Sequence, residues 1–155
     1  MSIYGYCRIS TAKQSIDRQL RNIKAEYPTV HIVQEAYTGT SIFRPEWLKL
    51  YRILKSGDTV VFDSVSRMSR NAEEGFTLYE DLYHKGIRLV FLKEHHIDTE
   101  TYKKALSGSI AMTGTNVDFI LKGINEYLMA LAKEQIKLAF EQSEKEVADL
   151  HQRTR

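Results

Sequence analysis

The sequence holds one cysteine, Cys7, so no disulfide can form within the chain, and a small scaffold stapled by bridges is excluded. The apolar neighbours of Cys7 make it a buried strand residue in a reducing compartment rather than a reactive thiol. Long hydrophobic runs are also missing. No stretch approaches the roughly 18 uncharged apolar residues that cross a bilayer, and the N-terminus has no basic flank, apolar run or small-residue cleavage site. A soluble, cytoplasmic protein with no membrane partner is expected. Charge of one sign is scarce too: 22 basic against 20 acidic residues leave a net +2, too little to announce nucleic-acid binding by itself. No cysteine–histidine cluster has zinc-site spacing, and the loop holding Gly108 and Gly114 lacks the lysine of a nucleotide phosphate loop.

What is present is enough apolar residue, 43%, for one core in one domain of ordinary size. Ile3 to Cys7, Val30 to Ala36, Thr59 to Phe62 and Ile87 to Leu92 read as strands. Between them run helical stripes. Ile16, Leu20, Ile23 and Tyr27 form one, ended by Pro28; Trp47, Leu48, Tyr51 and Leu54 follow Pro45 and stop at Ser56-Gly57-Asp58. A third helix starts at a capping-box-like Asn71 with Glu74 and runs through Phe76, Leu78, Tyr79, Leu82 and Tyr83 to Gly86. The alternation predicts an α/β domain, a mainly parallel central sheet flanked by helices with right-handed crossovers.

Residues 1–106 should form this core, and Ser107 to Asn116, rich in Gly, Ser and Thr, a mobile loop. Residues 117–155 should form a long C-terminal helix striped by Ile120, Ile124, Tyr127 or Leu128, Leu131 and Leu138. From Ile124 to Arg155 there is neither Pro nor Gly, so the helix would reach on the order of 45 Å. A helix that long must project or pack on another chain. From Lys133 to Asp149 three Lys stand against five acids, a net of 3 − 5 = −2, and the basic cluster His151, Arg153, Arg155 closes the sequence.

In a parallel sheet, functional groups gather beyond the carboxyl ends of strands. After the first strand come Arg8, Ser10, Thr11, Gln14 and Gln19; after the third come Asp63, Ser64, Ser66, Arg67, Ser69 and Arg70. Arg67 and Arg70 are three apart and would point the same way on a turn. A hydroxyl facing Arg8, Arg67 and Arg70 meets fixed positive charges with planar donor forks, which suit a phosphoryl group gaining charge under attack. Taken singly, a serine after a strand is more often a helix cap and an exposed arginine a surface ion pair. His95 and His96 read as a solvated loop pair, and no histidine near either motif supports a Ser-His-Asp relay.

The ordered motifs Gly5-Tyr6-Cys7-Arg8-Ile9-Ser10-Thr11, Gln14-Ser15-Ile16-Asp17 with Gln19, Thr38-Gly39, Arg44-Pro45, Gly57-Asp58 and Arg67-Met68-Ser69-Arg70 resemble the N-terminal catalytic domain of the resolvase/invertase, or serine recombinase, family. The resemblance implies that Ser10 attacks a DNA phosphodiester, forming a 5′-phosphoserine link and releasing a 3′ hydroxyl. It implies that Arg8, Arg67 and Arg70 surround the phosphate, with Gln14, Gln19 and Arg44 in support, and with no metal or other cofactor. It further implies double-stranded DNA as substrate, dimerisation through the long helix, a tetrameric synapse, and a DNA-reading region beyond it.

Two positions depart from the family pattern. Ser66 stands where an acid usually precedes the first arginine of the second motif, and Glu35 fills the acid position before Thr38-Gly39. Asp63 could take over the first role only if the loop turned its side chain inward. The alternative readings are a catalytically silent DNA-binding or dimerisation module of the same fold, and a small nucleotide-binding or phosphotransfer domain.

Overall fold

The structure, a computed structural model, describes residues 1–9, 13–36, 44–69, 71–107 and 113–153; for 9, 13–15, 105–107, 129 and 143–153 it describes the backbone alone. Four strands, β1 (Ile3–Ile9), β2 (His31–Ala36), β3 (Thr59–Phe62) and β4 (Arg88–Phe91), pair in parallel in the order β2-β1-β3-β4. Helices α1 (Lys13–Glu26), α2 (Pro45–Ile53), α3 (Val65–Met68) and α4 (Ala72–His84) lie in the connections, and α5 (Thr99–Ser107) and α6 (Asp118–Arg153) follow the sheet. The α/β class, the parallel sheet, its strand locations and the long terminal helix agree with the sequence expectations.

Both faces of the sheet are covered, which is why β3 is buried at every residue. On one face Cys7, Val61 and Val90 pack with Ile16 and Ile23 of α1. On the other, Tyr6, Val60, Phe62, Leu89 and Phe91 meet Trp47 and Leu50 of α2, Tyr79 and Leu82 of α4, Tyr102 of α5, and Ile136 and Phe140 of α6. The chain steps from β1 outward to β2 with α1 on the first face. It then crosses to β3 and β4 with α2 and α4 on the second, so all three crossovers share one hand. The strand order reverses direction between β1 and β3, the place where a parallel sheet opens a crevice.

That crevice is visible in the register. β1 pairs with β3 only over Ile3–Gly5, against Thr59–Val61, while its ladder with β2 continues to Ile9 opposite Ala36. Past Gly5 the two central strands part. At the outer edge of the sheet, Phe91 N–H donates to Asp98 Oδ1 at 2.7 Å and Leu89 N–H to Thr99 Oγ1 at 2.9 Å, so side chains occupy the open side of β4.

Three features differ from the sequence reading. The single turn α3, the 3₁₀ turn His95–Ile97 and helix α5 were not anticipated. Ser107 ends α5, and residues 113–117 lead into α6 with the Asp118 carboxylate accepting from the Thr113 and Gly114 amides; 108–112, the centre of the expected loop, lie outside the described residues. Helix α6 has 36 residues, about 54 Å at 1.5 Å each, and the anticipated stripe does not face the core. Ala132, Ile136, Ala139 and Phe140 pack on the core, while Ile120, Ile124, Tyr127, Leu131 and Leu138 remain 38–65% exposed.

Candidate active site

The last residues of β1 reach beyond the point where β3 leaves it, so the backbone of Arg8 has no strand on that side. Gln19 of α1, only 1% exposed, supplies the missing partner: its Oε1 accepts from Arg8 N–H at 3.1 Å and its Nε2 donates to Arg8 C=O at 3.0 Å. A primary amide reproduces the donor–acceptor pair of a peptide unit, so both buried backbone groups stay satisfied. The strand is thereby held as far as Arg8, two residues before Ser10.

The Arg8 side chain, 2% exposed, turns toward the second motif and donates through Nη2 to Ser66 C=O at 2.7 Å. Arg67 on the same turn donates through Nη1 to Arg8 C=O at 3.4 Å. Arg44, immediately before α2, donates through Nη1 to Met68 C=O. Three of the expected arginines or supporting residues, Arg8, Arg44 and Arg67, are thus brought to one small turn, and Gln19 to its rim. Ser69 Oγ donates to Asn71 C=O and accepts from Asn71 N–H, bracketing position 70, and Asn71 Oδ1 caps α4 by accepting from Glu74 N–H at 3.0 Å. Ser10 and Arg70 lie outside the described residues, as does the side chain of Gln14, whose backbone starts α1.

Asp63 is placed apart from this cluster. Its carboxylate, 2% exposed, accepts from Asn22 Nδ2 at 2.9 Å and pairs with Lys93 Nζ at 3.4 Å, tying α1 to the ends of β3 and β4. Consecutive strand residues face opposite ways, and Phe62 already faces the α2 side, so Asp63 falls on the α1 side. Ser66, at the usual acid position, shares a hydrogen bond with Ser64 between their Oγ atoms at 2.7 Å.

Two acids shape the site: Glu35, noted in the sequence only as filling a family acid position, and Glu94, which sequence reading passed over. Glu35, buried at 2%, accepts from Tyr6 OH at 3.1 Å and from the amides of Trp47 and Glu46 at 3.0 and 3.3 Å. Arg44 makes no side-chain cap for α2, and Glu35 takes that role from the neighbouring strand, holding the helix start that carries Arg44. Burial pushes the Tyr6 phenol well above its ordinary value, against the pull of Arg44, with Glu35 adding to the rise. Glu94, just past β4, accepts from Val65 N–H through both carboxylate oxygens at 3.1 Å, and burial raises its pKa. An acid directly after a strand, on the sheet edge where the arginines gather, was the available signal.

Beside these groups lies a cleft of about 550 Å³ lined in part by Ser66, Arg67, Lys93, Glu94 and His96, and closed on one side by α6. Among the described residues no three His, Cys, Asp or Glu side chains come together as metal ligands would, and no helix is long and apolar enough to cross a membrane. The arrangement can hold a tetrahedral anion: three guanidinium groups on one edge of a rigid sheet, beside the strand end that leads to a serine.

A parallel α/β domain with arginines gathered beside its switch-point crevice has the groups that suit a phosphoryl anion. The family model described as "Resolvase, N terminal domain" matches residues 3–147, and the chain belongs to this family, the N-terminal domain of serine recombinases. The chain is 32% identical over 91 residues to the Tn21 resolvase of Escherichia coli, covering 59% of this chain and 47% of that protein. It is 28% identical over 134 residues to the Tn1721 resolvase of Escherichia coli, covering 84% and 70%. The match spans about half the length of the Tn21 resolvase and of a Clostridium perfringens resolvase, 47% and 52%. The fold is that of a serine recombinase from Sulfolobus solfataricus, with a TM-score of 0.50 at 19% identity over 82% of this chain and 97% of the other. A resolvase-family site-specific recombinase from Streptococcus pneumoniae gives a TM-score of 0.50 at 19% identity over 98% and 99%.

Proposed function

We propose that this chain is the catalytic domain of a site-specific recombinase that cleaves and rejoins double-stranded DNA through a phosphoserine at Ser10. The observation that carries the reading is the convergence of Arg8, Arg44 and Arg67 on the turn Val65–Met68, at the carboxyl end of the strand that leads into Ser10. Ser10 Oγ attacks the phosphorus, the P–O3′ bond breaks, and the departing 3′ oxygen leaves as a hydroxyl once it gains a proton. Arg8, Arg67 and Arg70 stabilise the charge that builds on the non-bridging oxygens, with Arg44, Gln14 and Gln19 in support. Attack by another 3′ hydroxyl reverses the step and restores a phosphodiester. One ester replaces another at each stage, so no external energy source is required.

The exposed stripe Ile120, Ile124, Tyr127, Leu131 and Leu138 on α6 supports self-association, since the spacings of four, three, four and seven residues keep these side chains on one face. We assign it to a homodimer that pairs into a tetramer on two DNA sites, with residues 107–116 linking the catalytic core to this helix.

The test is trapping of a covalent adduct between the full-length protein and its recombination site. Wild type should yield an adduct through the 5′ end, and Ser10→Ala none. An adduct that persists in Ser10→Ala removes Ser10 as the nucleophile. Ser66 at the usual acid position favours one second reading, a catalytically silent module that binds DNA and dimerises. It predicts DNA binding with no adduct from wild type.

A further inference from the structure

We propose that Glu94 is a positioning residue of this site: its carboxylate anchors the turn Val65–Met68 and, through that turn, sets the guanidinium groups of Arg8, Arg44 and Arg67 around the transferred phosphate. The inference rests on the recombinase reading above.

The turn α3 cannot hold itself. It is four residues long, with Arg67 N–H bonded to Ser64 C=O and Ser69 N–H to Val65 C=O, and a single helical turn fixes more dihedral freedom than its few hydrogen bonds repay. Its own N-cap, Ser64, makes no side-chain cap bond, because its hydroxyl is shared with Ser66. External ties must therefore define its position. Among the described residues four hydrogen-bonded ties are present: Arg8 on Ser66 C=O, Arg44 on Met68 C=O, Arg67 on Arg8 C=O, and Glu94 on Val65 N–H.

These ties are not equivalent. A DNA phosphate in the crevice would compete with the Ser66 and Met68 carbonyls for the donors of Arg8 and Arg44, since a charged acceptor forms the stronger bond. The Glu94 tie uses no phosphate-binding group, so among these hydrogen bonds it is the one that keeps its partner as the arginines engage substrate, beside the core packing of Val65 and Met68. It is also the tie with the firmest backing. Lys93 N–H donates to Asp63 C=O at 3.1 Å and Lys93 Nζ pairs with Asp63, locking the end of β4 to the end of β3. Glu94 N–H bonds Phe91 C=O and Glu94 C=O accepts from Ile97 N–H, each at 3.1 Å, so its backbone is held on both sides. Consecutive residues thus divide the work: Lys93 fixes the strands to each other, and Glu94 fixes the catalytic turn to the strands.

The experiment compares Glu94→Gln and Glu94→Leu with wild type in the full-length protein. It measures the single-turnover rate of adduct formation, the Kd for the recombination site, and hydrogen exchange at the Val65 amide. Glu94→Leu should lose roughly 10- to 100-fold in rate, the scale of an ångström-size misplacement, with Kd unchanged within about twofold. Glu94→Gln keeps one acceptor for Val65 N–H and should recover most of that rate. A Glu94→Leu protein as fast as wild type, or a Glu94→Gln protein as slow as Glu94→Leu, overturns the proposal. If Glu94→Leu fails to fold, Val65 decides. Its amide should be protected in wild type, and unprotected exchange there overturns the proposal without reference to activity. Absence of any adduct from wild type would instead strike the recombinase reading.

Discussion

The ring of Phe140 occupies the space above Gly75 so closely that a Cβ built on Gly75 would lie 2.5 Å from Cε1. Helices α4 and α6 therefore touch where one of them has no side chain, and the ring, 1% exposed, sits in the main core. Gly75→Ala gains about 1 kcal/mol in helix propensity and loses about 1–3 kcal/mol to overpacking, a net destabilisation. Phe140→Ala should cost about 3–5 kcal/mol. In urea unfolding the double substitution should be less harmful than the sum of the two singles, because the alanine methyl enters the space the ring leaves. Strict additivity would show that the helices do not meet there.

Gln19 carries a second prediction. Gln19→Ala leaves the buried N–H and C=O of Arg8 without their side-chain partner, at a cost of about 1–3 kcal/mol. Gln19→Glu keeps the acceptor for Arg8 N–H but puts a carboxylate oxygen against Arg8 C=O. It should be at least as damaging as Gln19→Ala in thermal unfolding; a harmless Gln19→Glu would mean that the second hydrogen bond is not made.

The His95–Asp98 pair gives a pH dependence of known sign. Asp98 is 2.7 Å from His95 Nδ1 and raises its pKa above the ordinary imidazole value. The folded state therefore binds a proton the unfolded chain has released. The pair's contribution is complete below the unfolded pKa, about 6.5, and is lost as pH rises through the folded value. His95 is half exposed, so solvent screening limits the effect to about 0.2–1 kcal/mol. Burial separately pushes the Asp98 carboxyl up, and Phe91 N–H holds its other oxygen. In His95→Gln the fall in stability from about pH 6 to pH 8 should flatten, as read by denaturation midpoints across that range.

Cys7 should be silent toward thiol reagents in the native protein. It is fully buried, and burial, aided by Asp63, pushes its thiol up to about 12. Modification by an alkylating reagent at neutral pH should track global unfolding and vanish under native conditions. Fast labelling without unfolding would contradict its position between β1 and α1.

Strands were legible because each is a short apolar run bounded by turn residues; the sheet order was not, since crossovers of one hand are compatible with several orders. The arginine cluster was legible as two strand ends plus a family pattern. Helix α3 was not, since four residues hold no helical period. Helix α5 was hidden for a related reason: among its described side chains Tyr102 is the one large buried one, and its start depends on Thr99 bonding to β4. On α6 the stripe chosen from spacing was real, but the side facing the core is Ile136 and Phe140, whose burial depends on the gap at Gly75. Glu94 and Val65 are 29 residues apart, and local pattern does not link residues at that separation. Asp63 shows what local pattern leaves open. A carboxylate near Arg67 in sequence was a natural candidate partner, yet strand alternation turns it toward Asn22 and Lys93.

The side-chain bonds from Asp98 and Thr99 along β4 bear on assembly. An edge strand with open amides can recruit another strand and grow a sheet across molecules. Here the Leu89 and Phe91 amides are already taken, and Thr99 Oγ1 also donates to Leu89 C=O at 3.4 Å. In the proposed function, several copies gathered on one stretch of DNA would meet at a steeply raised local concentration. With this border sealed, copies held side by side have little to gain by fusing their sheets through β4, and the proposed contact through α6 would come apart without unravelling that strand.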